Sequence, residues 1–155
     1  MEEAIQYLQK TDVIFKNIID KYGIPSIPIR PEGFQTLVLL ILEQQVSVDS
    51  AKATFLKIKA GVVAIEPENL IHLSDEAFRN LGVSRQIRAL SEAIISKQID
   101  LESFSSKSAE KIRDELIKIK GIGNWTIDVY LMFCLKNPDI IPLGDIAVVN
   151  TIKEL

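Results

Sequence analysis

The segment whose residues are best suited to binding or catalysis is residues 116–135, with the sequence LIKIKGIGNWTIDVYLMFCL. It predicts a helix, a tight Gly-Ile-Gly turn at Gly121, Ile122 and Gly123, and a second helix that starts at once. The glycines place no side chain above the backbone, so the turn offers N–H groups beside a helix N-terminus with partial positive charge. That arrangement predicts a site for one phosphate, with Lys120 adding positive charge next to it. A plain corner between two helices, with glycine only as the cap, is the alternative for the turn alone.

Two other side chains have types suited to chemistry in this region. Trp125 lies in the first turn of the second helix, where an indole can stack on a nucleobase or a cationic base, or can simply pack in the core. Asp145 follows an apolar approach, Ile-Ile-Pro-Leu-Gly, at the start of a predicted last helix. It is either a helix cap or, in a dry pocket, a carboxylate that stabilises a developing cation or activates water.

The elements that must position these residues are helices. Apolar periodicity and capping residues predict helices over 2–22, 32–45, 47–58, 74–82, 84–97, from Ser105, Ser106 or Ser108 to near 120, over 124–135 with Asn124 as cap, and from 145 onward. Three prolines make residues 23–31 an extended connector, and 137–144 is a proline-containing loop. No alternating strand pattern of useful length occurs. We therefore expect an all-α fold, a compact multi-helix domain with a helix-hairpin-helix motif, as one domain over residues 1–155.

Composition excludes several classes of protein. The chain has 155 residues, of which 47% are hydrophobic and 25% charged, which is typical of a soluble globular domain. Its one cysteine, Cys134, cannot make an internal disulfide, a four-cysteine zinc site or a cysteine-ligated iron–sulfur cluster. The longest apolar run, residues 37–42, is far shorter than the roughly 20 residues of a membrane span, so we expect a cytoplasmic protein. The net charge of −3 does not by itself suggest nucleic acid.

The combination of motifs resembles a known family. KGIGNWT, from Lys120 to Thr126, is followed nineteen residues later by Asp145 in IPLGD. This arrangement is similar to the helix-hairpin-helix DNA glycosylase superfamily, and most of all to its 3-methyladenine DNA glycosylase II (AlkA-type) branch. The upstream stretch LEQQVSVDSAKA, residues 42–53, and SRQIRAL from Ser84 also fit the family. The likeness covers roughly residues 10–155. Relatives usually continue with further C-terminal helices, so three interpretations stay open for this sequence: a fragment, a truncated reading frame or a minimal member of the family.

The resemblance implies a role for each matching residue. Asp145 would be the catalytic carboxylate and Trp125 an aromatic wall of the base pocket. DNA contacts would come from Gln45, which probes the gap left by the flipped base, and from the hairpin, namely Lys120, Gly121, Ile122, Gly123 and Thr126. The backbone carbonyls of Ile117, Ile119 and Ile122 match positions that can hold a structural cation, monovalent or other. No further cofactor and no iron–sulfur cluster are implied.

The implied activity is hydrolysis of the N-glycosidic bond of alkylated purines after base flipping. Trp125 also occupies the place where bifunctional members carry a Schiff-base lysine, so the chain should release a base without cutting the strand. Damaged double-stranded DNA is the expected partner, and the protein is expected to be a monomer with no membrane contact. The alternatives are a non-catalytic helix-hairpin-helix DNA-binding module, a truncated inactive relative, and a helical protein–protein adaptor.

Overall fold

The computed structural model describes residues 2–44 and 46–154, and all secondary structure in those residues is helical. The prediction of an all-α fold is therefore confirmed. The α-helices are α1 (Glu2–Thr11), α2 (Val13–Tyr22), α3 (Phe34–Glu43), α4 (Val48–Gly61), α5 (Pro67–Ile71), α6 (Asp75–Leu81), α7 (Arg85–Ile95), α8 (Ala109–Leu116), α9 (Asn124–Phe133) and α10 (Ile146–Glu154), and a 3₁₀ helix spans Leu101–Ser106. None of these helices is long and apolar enough to cross a membrane.

Contacts along the chain divide it into two compact units. One comprises Met1–Pro28 and Ile146–Leu155, and the other comprises Ile29–Asp145. In the first unit, α1 packs against α2 and buries Ile5. The second unit contains α3 to α9, and it holds every predicted site residue that the structure describes. The expectation of one domain over residues 1–155 stays a prediction.

The prediction of one helix over residues 2–22 is wrong, because the chain restarts at Asp12. The Asp12 backbone is extended, and its Oδ1 accepts hydrogen bonds from the amides of Ile14 at 2.8 Å and Phe15 at 3.3 Å. An aspartate that satisfies the first amides of a new helix competes with continuation of the old one. The apolar pattern runs on across this break, so periodicity alone did not reveal it.

Four helices, α4, α6, α7 and α8, start at predicted serine caps. Ser47, Ser74 and Ser84 each accept a hydrogen bond from the amide three residues ahead. Among the three rival serines near 105–108, Ser108 is the cap of α8, and the other two lie in the 3₁₀ helix. Helix α5 was not predicted, although Pro67 at its first position is a common helix start.

The core of the second unit is built around α3 and α9, which pack directly against each other. Each of these helices buries six of its ten residues. Tyr130 of α9 has no exposed surface, packs edge-on against Phe104 at 6.3 Å and accepts a hydrogen bond from the Gly33 amide at 2.9 Å. This core fixes the start of α9, where Trp125 lies, against the end of α3, where Gln44 lies.

Candidate active site

The hairpin between α8 and α9 is a tight turn with a strict requirement for glycine at one position. Gly121 has φ +90°, and a Cβ there would overlap the Cγ of Gln86. Both the backbone conformation and the neighbouring α7 therefore exclude a side chain. The amide of Ile122 donates to the Ile119 carbonyl at 3.0 Å, and the Ile122 side chain is buried. Of the three turn residues in the predicted phosphate site, Ile122 thus uses its amide inside the turn.

The predicted phosphate site at the hairpin depends on Gly123 and the first turn of α9. Gly123, not Asn124 as predicted, is the N-cap residue, and it makes no side-chain cap bond. The first helical bond runs from the Ile127 amide to the Gly123 carbonyl at 3.2 Å, so the amides of residues 124–126 have no earlier helical carbonyl to bond. A Cβ at Gly123 would meet no atom within 4 Å, so the space beside the Cα of Gly123 is open.

Asn124 is instead the first residue of α9, and its side chain is engaged elsewhere. Arg113 makes two contacts: its Nη1 donates to the Oδ1 of Asn124 at 3.1 Å, and the Nη2 of the same arginine donates to the Oδ1 of Asp128 at 2.5 Å. The Asp128 side chain is only 8% exposed. This clamp ties α8 to α9 across the hairpin, and sequence reasoning missed it because no local pattern links these positions.

A second clamp comes from Gln44, at the end of α3. Its Nε2 donates to the carbonyl of Gly121 at 3.1 Å and to the Oγ1 of Thr126 at 2.8 Å. Thr126 is 1% exposed. Its hydroxyl therefore supports the hairpin from within, while the exposed Lys120 is free to meet solvent or a ligand. Gln45, the predicted probing residue, lies outside the described residues.

Trp125 and Asp145 converge, as the resemblance implies. The Nε1 of Trp125 donates to the Oδ2 of Asp145 at 3.0 Å, across 20 residues of sequence, and both residues are half-buried. Two turn bonds shape the loop before Asp145, from the Leu143 amide to the Ile141 carbonyl and from the Asp145 amide to the Pro142 carbonyl. Gly144 lies next to Trp125, since a Cβ built on Gly144 would be 3.9 Å from the Trp125 Cβ.

The part of the chain that holds the glycine hairpin, the indole and the carboxylate matches a family model. The model of the HhH-GPD superfamily of base excision DNA repair proteins matches residues 38–155. The chain belongs to that superfamily. Its matched part includes the end of α3, the hairpin, Trp125 and Asp145, so the site just described lies wholly inside the family region.

Curated proteins similar to this chain include fungal and bacterial ones. The chain is 28% identical over 134 residues to "DNA-3-methyladenine glycosylase 1" of Schizosaccharomyces pombe, covering 81% of this chain and 59% of that protein. It is 32% identical to "DNA-3-methyladenine glycosylase" of Bacillus subtilis, covering 96% and 54%. A solved S. pombe 3-methyladenine DNA glycosylase in complex with abasic DNA has a TM-score of 0.83 and 26% identity, covering 97% of this chain and 79% of that one. The chain thus spans little more than half the length of these two curated relatives.

Proposed function

We propose that this protein is a monofunctional DNA glycosylase that hydrolyses the N-glycosidic bond of alkylated purines of the 3-methyladenine type. The observation that carries the proposal is the Asp145 carboxylate, held by Trp125 beside the glycine hairpin. The names of the relatives support the substrate class. Damaged double-stranded DNA is the proposed partner, bound by one protein monomer.

The proposed reaction begins with the damaged base outside the helical stack, a step that costs a few kcal/mol and is easiest for a damaged base. The C1′–N bond then breaks, and its electron pair leaves with the base. An alkylated purine leaves readily because it carries positive charge before cleavage. Asp145 stabilises the oxocarbenium-like sugar that remains, and water adds to C1′ while losing a proton.

The strand stays intact in this mechanism because the side chain beside Asp145 is an indole. Strand cleavage by a bifunctional glycosylase needs an amine that can form a Schiff base with the sugar. Trp125 supplies no such amine, and its Nε1 donates to Asp145. The expected product is therefore an abasic site in an uncut strand.

The hairpin would hold a phosphate near the lesion. Gly123 and Asn124, at the start of α9, are exposed, the space beside the Gly123 Cα is open, and Lys120 is exposed in the same hairpin. The carbonyls of Ile117, Ile119 and Ile122 would hold a structural cation, since carbonyl oxygens suit hard cations. They fit such a role: Ile117 lies just past the last residue of α8, and the Ile119 carbonyl, which accepts one bond from Ile122, has a second lone pair. Bound there, the cation would offset phosphate charge, and the chemistry needs no other cofactor.

The experiment that tests the proposal is release of free base from methylated duplex DNA. Asp145→Asn should reduce release by at least about 100-fold, because one preorganised electrostatic group typically contributes that much. Asp139→Asn is the matched control, since Asp139 is an exposed aspartate in the same loop. Wild-type protein that binds duplex DNA but releases no base would instead identify a DNA-binding module.

A further inference from the structure

We propose that Trp125 is a positioning residue for Asp145: its indole N–H holds Oδ2 so that the carboxylate faces the reacting sugar. The resemblance implies only an aromatic wall of the base pocket at this position. The structure adds a direct side-chain hydrogen bond of 3.0 Å between the two residues. The kinetic consequence of this inference rests on the proposed glycosylase activity, whereas the hydrogen bond can be tested without it.

The donor stands on a rigid base. Trp125 lies in the first turn of α9, and α9 buries six of its ten residues. On either side of Trp125, neighbouring residues are clamped to other helices, Asn124 to Arg113 and Thr126 to Gln44. The indole therefore starts from a fixed backbone position.

The acceptor, Asp145, lies at the end of a loop. Asp145 ends a run of turns between Ile141 and Asp145 that is held by two backbone hydrogen bonds. An aspartate side chain can rotate about two torsions, and a hydrogen bond from a fixed donor to a carboxylate is about twice as strong as one between neutral groups. The donor from α9 holds one oxygen of this carboxylate, Oδ2, and a carboxylate of set direction is what preorganised catalysis requires.

The chemistry of the indole separates this role from stacking. Indole has one N–H donor and no acceptor, so a Trp125 that donates to Asp145 offers no hydrogen bond to a base. A base can contact only its ring. Loss of the N–H should therefore act on the chemical step, whereas loss of the ring should act on base binding.

A spectroscopic test needs no activity. Trp125 is the only tryptophan of the chain, so the indole N–H gives a single, unambiguous NMR signal. In Asp145→Ala, where the acceptor is gone, this signal should shift upfield and its exchange with solvent should accelerate. Asp139→Ala should leave both unchanged. An indole signal that is the same in Asp145→Ala and wild type, with the helical circular dichroism retained, would overturn the proposal.

A kinetic test uses Trp125→Phe, which keeps an aromatic ring and removes the donor. We expect kcat for base release to fall about 10- to 100-fold, the size of one lost hydrogen bond to a charged group, with KM within about threefold. Phe133→Leu is the control for lost aromatic volume, since Phe133 lies eight residues further along α9, about 12 Å along its axis. A raised KM with unchanged kcat would reduce Trp125 to a pocket wall. Absence of base release by the wild type would refute the proposed function and leave the NMR result to decide the hydrogen bond.

Discussion

A negative charge at Gly123 should weaken DNA binding while slightly stabilising the fold. Gly123 has φ −103° and ψ 174°, which any residue adopts, and a Cβ there meets no atom within 4 Å. It is also the N-cap of α9 and makes no side-chain cap bond. In Gly123→Asp, the new carboxylate would accept hydrogen bonds from the first amides of α9, the same amides that would bind a phosphate.

The two effects have opposite signs and can be estimated. Aspartate is a better N-cap than glycine by a few tenths of a kcal/mol, and a carboxylate near a helix N-terminus adds about 0.3–1 kcal/mol. The melting temperature should therefore rise by about 1–3 °C. A carboxylate about 5 Å from a phosphate costs about 1–3 kcal/mol at an effective dielectric constant between 80 and 20. That corresponds to a Kd for duplex DNA about 5- to 150-fold higher.

The assay is fluorescence anisotropy with a labelled duplex that contains an abasic site, at two salt concentrations, together with thermal melting. Gly123→Asn is the matched control, because it caps α9 with the same shape but carries no charge. Gly121→Ala is the contrasting variant: its positive φ and its overlap with Gln86 should cost about 1–3 kcal/mol of stability. Equal DNA affinity for Gly123→Asp and wild type, with the melting temperature raised as expected, would refute a phosphate site at the hairpin.

Further predictions concern the supports of the site and the core. Gln44→Met removes two donated hydrogen bonds and should lower both stability, by about 1–3 kcal/mol, and duplex affinity, measured by urea unfolding and anisotropy. Arg113→Met leaves the buried Asp128 carboxylate unpaired and should cost about 3 kcal/mol in urea unfolding; Asp128→Asn in the same chain should restore part of that loss. Burial raises the pKa of Tyr130 from 10.0 to about 12 and that of Cys134 from 9.0 to about 12. The folded state therefore holds these protons more tightly, so stability should be full below pH 9 and fall toward pH 12, and Tyr130→Phe with Cys134→Ala should flatten that fall in urea unfolding.

Local signals in the sequence predicted much of the fold, and the failures have local causes too. Ser47, Ser74 and Ser84 were predictable because a cap is defined by residues three positions apart. The break at Asp12 was not, because the apolar positions continue through it and only the cap bonds to Ile14 and Phe15 mark it. Asn124 was the obvious cap by type, but the helix is capped one residue earlier, at Gly123, and the Asn124 side chain bonds Arg113, eleven residues before it.

For the site too, features set by neighbouring residues could be predicted from the sequence, and features set by distant contacts could not. The glycine turn and its anion-binding amides follow from residues 121–126, and the pairing of Trp125 with Asp145 follows from the family resemblance. The support from Gln44 could not be predicted from the sequence. Its two partners, Gly121 and Thr126, lie 77 and 82 residues further along the chain, and contacts at such separations leave no periodic pattern. Nor could the sequence show that the Trp125 N–H reaches Asp145, because that depends on how the loop from Ile141 to Asp145 turns.

The net charge of −3 is compatible with the proposed DNA partner because the proposed phosphate contact involves only the hairpin and not the whole protein surface. Backbone amides carry no net charge, yet at the start of α9 they present partial positive charge to a single phosphate. Such a site works only if its backbone is held in place, and the two clamps on the hairpin do this without adding exposed basic residues. Arg113 is itself paired with Asp128, and Gln44 is neutral. The affinity of this protein for DNA should therefore depend more on the geometry of the hairpin than on its surface charge, so Gln44→Met should weaken binding at both low and high salt.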